Sequence, residues 1–251
     1  MARYKGTSSK PAFGTELSDK LCRNTPDCIF VDRIASKLPD KEKRSVLEIG
    51  FGAGQEAMRL RELKPLSEIV ALDRSEDGRP SRRSLLDQDA NGKLPPTSLP
   101  LFRRQLEKLK IQVVAHTLPA TIPYPDGNFD MVYARFSLHY FNDTALANIF
   151  ADVWRILRPG GSLVFMVKTT ESLNYSTGKV LRPASGTKGW NALLQEAGFG
   201  VEVQERDNRS DAGEPWVFEA RWAPRPSQNG AMEQLPHLLR AATAIYRVYM
   251  E

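Results

Sequence analysis

A chain of 251 residues, 41% of them apolar and 26% charged, has room for one well-buried α/β core with excursions and not for two ordinary domains of that class. No apolar run approaches the roughly 18 residues of a membrane span, and Met1-Ala-Arg-Tyr-Lys-Gly6 has no apolar signal region, so neither a span nor secretion is indicated and a cytoplasmic protein is expected. The 35 basic and 30 acidic residues leave a net +5, which permits an acidic partner without demanding one, while Cys22 and Cys28 lack metal-ligand spacing and read as reduced thiols with no metal site.

Residues 1–13 carry no carboxylate and little to bury, and are expected to be mobile without a ligand. Thr25-Pro26-Asp27 is a helix start, with Phe30, Ile34 and Leu38 then recurring on one face. Val46-Leu-Glu-Ile49 reads as a buried parallel strand that breaks into Gly50, Gly52 and Gly54 before a helical pattern begins. Glycines there admit positive φ and the close approach of a ligand, beside the unpaired N–H groups of a new helix. The dinucleotide fingerprint would place a glycine at position 55, where the chain has Gln55.

The pattern Glu48-x-Gly50-x-Gly52-x-Gly54 resembles the first motif of the class I S-adenosylmethionine-dependent methyltransferases. The resemblance implies S-adenosylmethionine as cofactor and S-adenosylhomocysteine as product, with Glu48, Gly50, Phe51, Gly52 and Gly54 at the cofactor and the acid suited to its ammonium group. It also gives the leading helix two readings of equal weight, a cover for the substrate or a shield for the sheet.

After the helix pattern Ala57, Met58, Leu60, Leu63 comes a second strand, Glu68-Ile-Val-Ala-Leu-Asp73. In a doubly wound sheet an acid at that end accepts ribose hydroxyls, so Asp73, with Arg74 next to it, is the expected nucleoside ligand. The stretch from Arg74 to about Pro100 is turn and loop chemistry, read as a mobile loop with a lid role as the alternative. A crossover helix on Phe102, Leu106 and Leu109 follows, then a third strand over Ile111–His116.

His116-Thr-Leu-Pro-Ala-Thr-Ile-Pro-Tyr-Pro-Asp-Gly-Asn-Phe-Asp-Met-Val-Tyr-Ala134 resembles the run from the third strand to a Phe-Asp-x-Val fourth strand in the ubiquinone-biosynthesis-type branch. Leu118 stands where that branch usually has an acid reading adenine, which implies apolar contact from Thr117, Leu118 and Pro119. Asp130 starts the strand, away from the ligand end, and reads as structural. Ala134-Arg-Phe-Ser-Leu-His-Tyr-Phe141 resembles the family's segment bordering cofactor and substrate, which implies Ala134 and Arg135 at the cofactor. Its His139 is the candidate general base, an orienting role in the loop being the alternative; Tyr133, Tyr140 and Trp190 are candidate substrate contacts.

Leu146, Ile149, Phe150, Val153 and Leu157 make an amphipathic helix that ends in Arg158-Pro-Gly-Gly161, a further match, before the strand Ser162–Lys168. A helix on Trp190, Leu193, Leu194 and Ala197 precedes strands at Val201–Glu205 and Trp216–Trp222, joined by a link too short and polar for a crossover helix, hence antiparallel. The expected fold is therefore α/β: a doubly wound, mostly parallel seven-stranded sheet with an antiparallel C-terminal hairpin, the Rossmann-like methyltransferase fold. Its divisions would be a cap segment and helix (1–40), the methyltransferase domain (41–223, with 74–110 as extended loop and crossover helix) and a linker with an amphipathic helix (224–251), read as docking on the core, with pairing to a second copy or closure over the active site as the alternatives.

The expected activity is methyl transfer to a small organic acceptor, a phenol, amine or activated carbon, by a monomer or homodimer. Basic residues alternate with acidic ones except at Arg79–Arg83 and Arg103-Arg104, so RNA, and tRNA in particular, is the runner-up partner. A nicotinamide oxidoreductase and a non-catalytic cofactor-binding module are the other classes weighed.

Overall fold

Near-continuous apolar runs along the central strands build a sheet that is buried on both faces there. A computed structural model of the chain describes residues 27–52, 54–74, 103–104, 106–169, 186–206 and 215–224. The strands are β1 (Ser45–Ile49), β2 (Glu68–Asp73), β3 (Gln112–Ala115), β4 (Phe129–Arg135), β5 (Leu157–Val167), β6 (Phe199–Arg206) and β7 (Trp216–Trp222). They form a seven-stranded sheet in the order β3-β2-β1-β4-β5-β7-β6. β1 to β5 pair in parallel, and β7 runs antiparallel to both β5 and β6. The direction of the chain reverses in strand order at β1, between β2 and β4, which is where open α/β sheets take ligands.

Helices α1 (Asp27–Ser36) and α2 (Gln55–Leu63) cover one face, where Phe30, Ile34, Ala57, Met58 and Leu60 meet Val46, Ala71, Met131 and Val164. Helices α3 (Asp143–Ile156) and α4 (Thr187–Ala197) cover the other, where Phe150, Val153 and Leu194 meet Leu47, Ile49, Val132 and Phe165. Odd and even residues of β1 thus serve opposite cores. Caps set the helix limits: Asn142 accepts from the Ala145 N–H at 2.9 Å, and Gly198 ends α4 at φ 98°.

The third strand is Gln112–Ala115 rather than 111–116, and among the other boundaries that differ from the sequence reading two have a clear physical cause. The α3 helix stops one residue early, because Leu157 is extended and pairs with Phe129; β5 then runs through Arg158-Pro-Gly-Gly161 with a register shift. β6 begins at Phe199 rather than Val201, directly behind the glycine cap. Leu106, from the expected crossover helix, is buried against the α1/α2 face. Asp130 is structural as read: it accepts from the Ser45 N–H at 2.8 Å and pairs with Arg44 and Arg158. No described helix is long and apolar enough to cross a membrane. The N-terminal segment, the excursion read over 74–100 (all but Arg74) and the C-terminal helix of the sequence reading lie outside the described residues.

Candidate active site

The three glycines after β1 have left-handed φ values of 77°, 53° and 77°, but their surroundings differ. A Cβ on Gly50 would lie 2.4 Å from the Ser137 Cβ, and one on Gly54 would lie 2.8 Å from the Leu106 methyls. One on Gly52 would meet no described residue within 4 Å. Gly50 and Gly54 are therefore packed by the protein itself, whereas among the described residues the backbone at Gly52 borders open space.

Asp73 closes one side of that space. Its Oδ2 accepts the Gly52 N–H and its Oδ1 the Arg74 N–H, both at 2.8 Å. Each oxygen keeps a second lone pair, the acceptor pattern that two vicinal hydroxyls require. Burial raises the Asp73 pKa, opposed by these two hydrogen bonds and by the Arg74 charge.

Behind the turn lies a cluster of buried charge. Glu48 is 1% exposed, and its strand partner in the β1–β4 register is Tyr133. Burial first, then the neighbouring Glu56 charge, pushes Glu48 well above the carboxylate range; Asp73 adds to this, while the Tyr133 hydroxyl and Arg135 pull the other way. Among the described residues Glu48 Oε2 has no hydrogen-bond partner, and the Tyr133 hydroxyl lies beside the carboxyl group. Glu56, in the first turn of α2, is the ion-pair partner of Arg135 at the end of β4. The guanidinium also stands 4.8 Å from the centre of the Phe136 ring.

From Arg135 the chain turns sharply. Phe136 takes φ 51° and donates its N–H to the Met166 carbonyl at 2.8 Å. That turn brings Ser137 against Gly50, where its hydroxyl donates to the Ile49 carbonyl at 2.9 Å. A 3-10 turn, Leu138–Tyr140, follows. His139 is buried in it, its Nδ1 accepting the Lys168 N–H at 3.4 Å. Burial, and secondly the Lys168 charge, lowers its pKa to about 4, so it is neutral near pH 7. Tyr140 leaves the turn 53% exposed, its ring 4.4 Å from that of His139.

Residues 47–165, the glycine turn and the β4 segment included, match the family described as methyltransferase domain. That stretch is just under half of the chain. The chain is similar to a demethylmenaquinone methyltransferase of Deinococcus radiodurans, 32% identical over 124 residues that are 49% of this chain and 42% of that protein. A second protein of that name, from Thermus thermophilus, is 28% identical over 128 residues, 51% of this chain and 48% of its own. The chain thus spans less than half the length of these curated relatives. Among solved structures, a SAM-dependent methyltransferase from Aquifex aeolicus aligns at TM-score 0.52 and 17% identity over 84% of this chain and 99% of that one, which speaks for the fold.

The sheet brings most of the residues expected at the cofactor to one end. The register sets Ile49 beside Leu72 and Ala134, so Gly50, Asp73 and Arg135 emerge at one end of three adjacent strands. Phe51 is half-buried against the α1/α2 core. The His116 N–H donates to the Asp73 carbonyl at 2.7 Å, and beyond it Leu118 packs on the α3/α4 core while Thr117 and Pro119 are exposed.

Two expected substrate contacts are corrected. Trp190 is 0% exposed within the α3/α4 core, its ring 5.4 Å from that of Phe165, because the stripe of α4 that carries it faces the sheet. Tyr133 is 1% exposed in the α1/α2 core beside Phe30, because it shares a strand face with Met131.

Four residues of the site escaped the sequence reading. Glu56 and Ser137 hold the β4 segment to the glycine turn. Asp152 accepts the Ile122 N–H, and Arg155 donates to the Tyr124 and Ile122 carbonyls at 2.8 and 3.0 Å, which fastens the 118–126 loop to α3. An acid in the first helical turn was a visible signal for Glu56; the others have none in local sequence.

Proposed function

We propose that this protein transfers the methyl group of S-adenosylmethionine to a small organic acceptor. The observation that carries the reading is the open space over Gly52 with Asp73 at its side, next to a β4 segment that ends in the exposed ring of Tyr140. Asp73 would accept from the ribose hydroxyls, Leu118 would cover the adenine and Glu48 would face the amino-acid half. When bound, the cofactor supplies a sulfonium methyl already activated for in-line displacement, so what the chain must add is placement. Gly52, Phe136 and the 3-10 turn fix where an acceptor can lie. We assign His139 to holding that turn rather than to proton transfer, since a buried imidazole with a pKa of about 4 is a weak base at pH 7.

The demethylmenaquinone methyltransferases named above support a small-molecule acceptor. So does the surface charge: Lys43 pairs with Glu68, Arg103 with Glu107, Arg158 with Asp130 and Arg221 with Glu202. RNA would favour unpaired cations in a row. The test is transfer of a tritiated methyl group from labelled cofactor into a cell extract separated into RNA, protein and low-molecular-weight pools. Label is expected in the low-molecular-weight pool; label in RNA that disappears as salt is raised would overturn the reading.

A further inference from the structure

The loop that joins β3 to β4 is strung between two anchors. At its start the His116 N–H donates to the Asp73 carbonyl at 2.7 Å, on the residue proposed to hold the ribose. Its far end converges on two side chains of α3. Asp152 accepts the N–H of buried Ile122 through Oδ2 and the Arg155 Nε–H through Oδ1 at 2.6 Å. The Arg155 guanidinium also donates to the Ile122 and Tyr124 carbonyls at 3.0 and 2.8 Å and to Asp126 at 2.9 Å, while the Arg155 carbonyl accepts the Gly127 N–H at 3.0 Å. Between the anchors lie residues 117–121, where Leu118 packs on the α3/α4 core and the others are exposed. A leucine holds a flat base by dispersion and exclusion of water, and a gap of about 0.5–1 Å forfeits a quarter to a half of that attraction. Leu118 therefore contributes only if something else sets its distance.

We infer that Arg155 and Asp152 are positioning residues for the cofactor, paired on α3 so that the loop sets Leu118 against the adenine before the ligand arrives. The inference rests on the cofactor site proposed above and adds to it two residues from the helix behind the loop. Without the guanidinium fork the stretch after His116 keeps one anchor and samples other arrangements. Affinity then falls with the fraction of molecules whose loop is in the competent one. Lysine does not replace the fork: it keeps a charge beside Asp152 and Asp126 but lacks the planar group that reaches two carbonyls and a carboxylate together.

The test is a double-mutant cycle in the affinity for S-adenosylhomocysteine, read by titration calorimetry at a temperature well below the melting point of every variant. Leu118→Ala is expected to weaken binding by about fivefold to tenfold in the native background. Arg155→Ala and Arg155→Lys are each expected to weaken it by about threefold to tenfold. In the Arg155→Ala background Leu118→Ala should cost less than about twofold, because the two changes remove the same contact and their losses do not add. A role of Arg155 in stability alone would lower the melting temperature and leave the Leu118→Ala loss at full size, and that result would overturn the inference. Native affinity in Arg155→Ala, or in Leu118→Ala, would overturn it as well. With the native protein still binding S-adenosylhomocysteine, each of these results leaves the methyltransferase reading intact; no binding by the native protein would overturn that reading and this inference with it. Should Arg155→Ala misfold, Arg155→Lys takes its place in the cycle with the same expected outcome.

Discussion

Adding one methyl group at Gly50 and at Gly52 should separate stability from cofactor binding. Both residues are left-handed, so alanine at either costs about 1–2 kcal/mol in backbone strain. At Gly50 the new Cβ would also lie 2.4 Å from the Ser137 Cβ and 2.9 Å from its Oγ, an overpacking that adds about 1–3 kcal/mol. At Gly52 it meets no atom of the described residues within 4 Å. With about 2–4 °C of melting temperature per kcal/mol for a chain of this size, Gly52→Ala should melt a few degrees low and Gly50→Ala about twice as far below the native protein. Binding should rank the other way: Gly52→Ala is expected to weaken S-adenosylhomocysteine by roughly tenfold or more, because its methyl occupies the ligand's space. Thermal melts and calorimetric titrations read both quantities. Adding Ser137→Gly should restore much of the stability lost in Gly50→Ala and none of the affinity lost in Gly52→Ala. Unchanged affinity in Gly52→Ala, with the ligand still bound one to one, would refute the assignment of that open space.

The remaining expectations concern the groups around the turn. His139 titrates at about 4 in the folded protein against 6.5 as a free group, so between those values the unfolded chain binds the extra proton and stability rises with pH. That contribution, about 3 kcal/mol, is complete above pH 6.5 and lost as pH falls toward 4; in His139→Gln the acid slope of the melting temperature should be shallower, and parallel curves would refute it. Asp73→Asn should cost about tenfold or more in S-adenosylhomocysteine affinity, measured by titration, since it removes the charged acceptor of the ribose hydroxyls. Arg155→Ala should destabilise by about 1–3 kcal/mol and speed amide hydrogen exchange in 118–126, where it donates to two carbonyls; exchange unaltered there would show the loop is held otherwise.

What could be read in the sequence was local. Glu48, three glycines at alternate positions and Asp73 at the next strand end lie within 26 residues, and the turn they form is built from backbone conformation that only glycine tolerates well. Apolar runs gave the buried strands, and the short link before Trp216 gave the antiparallel hairpin. Long-range pairing was not legible. Arg135 and Glu56 stand 79 positions apart, and nothing near either one announces the other. Trp190 shows why composition misleads: an indole on an amphipathic stripe looks alike whether the stripe faces a ligand or a sheet, and here Phe150, Phe165 and Phe218 surround it. The start of β5 was missed for a related reason, since Pro159 and two glycines read as a turn, yet Leu157 pairs with Phe129 before they occur.

The central claim, that the cofactor sits over Gly52 with its ribose on Asp73, is tested most directly by a crystal structure of the protein with S-adenosylhomocysteine. The account predicts both ribose hydroxyls donating to the Asp73 carboxylate, the ligand's backbone-side atoms in contact with Gly52, and its ammonium group turned toward Glu48. Density for the ligand at any other place, or a ribose that makes no contact with Asp73, would contradict it.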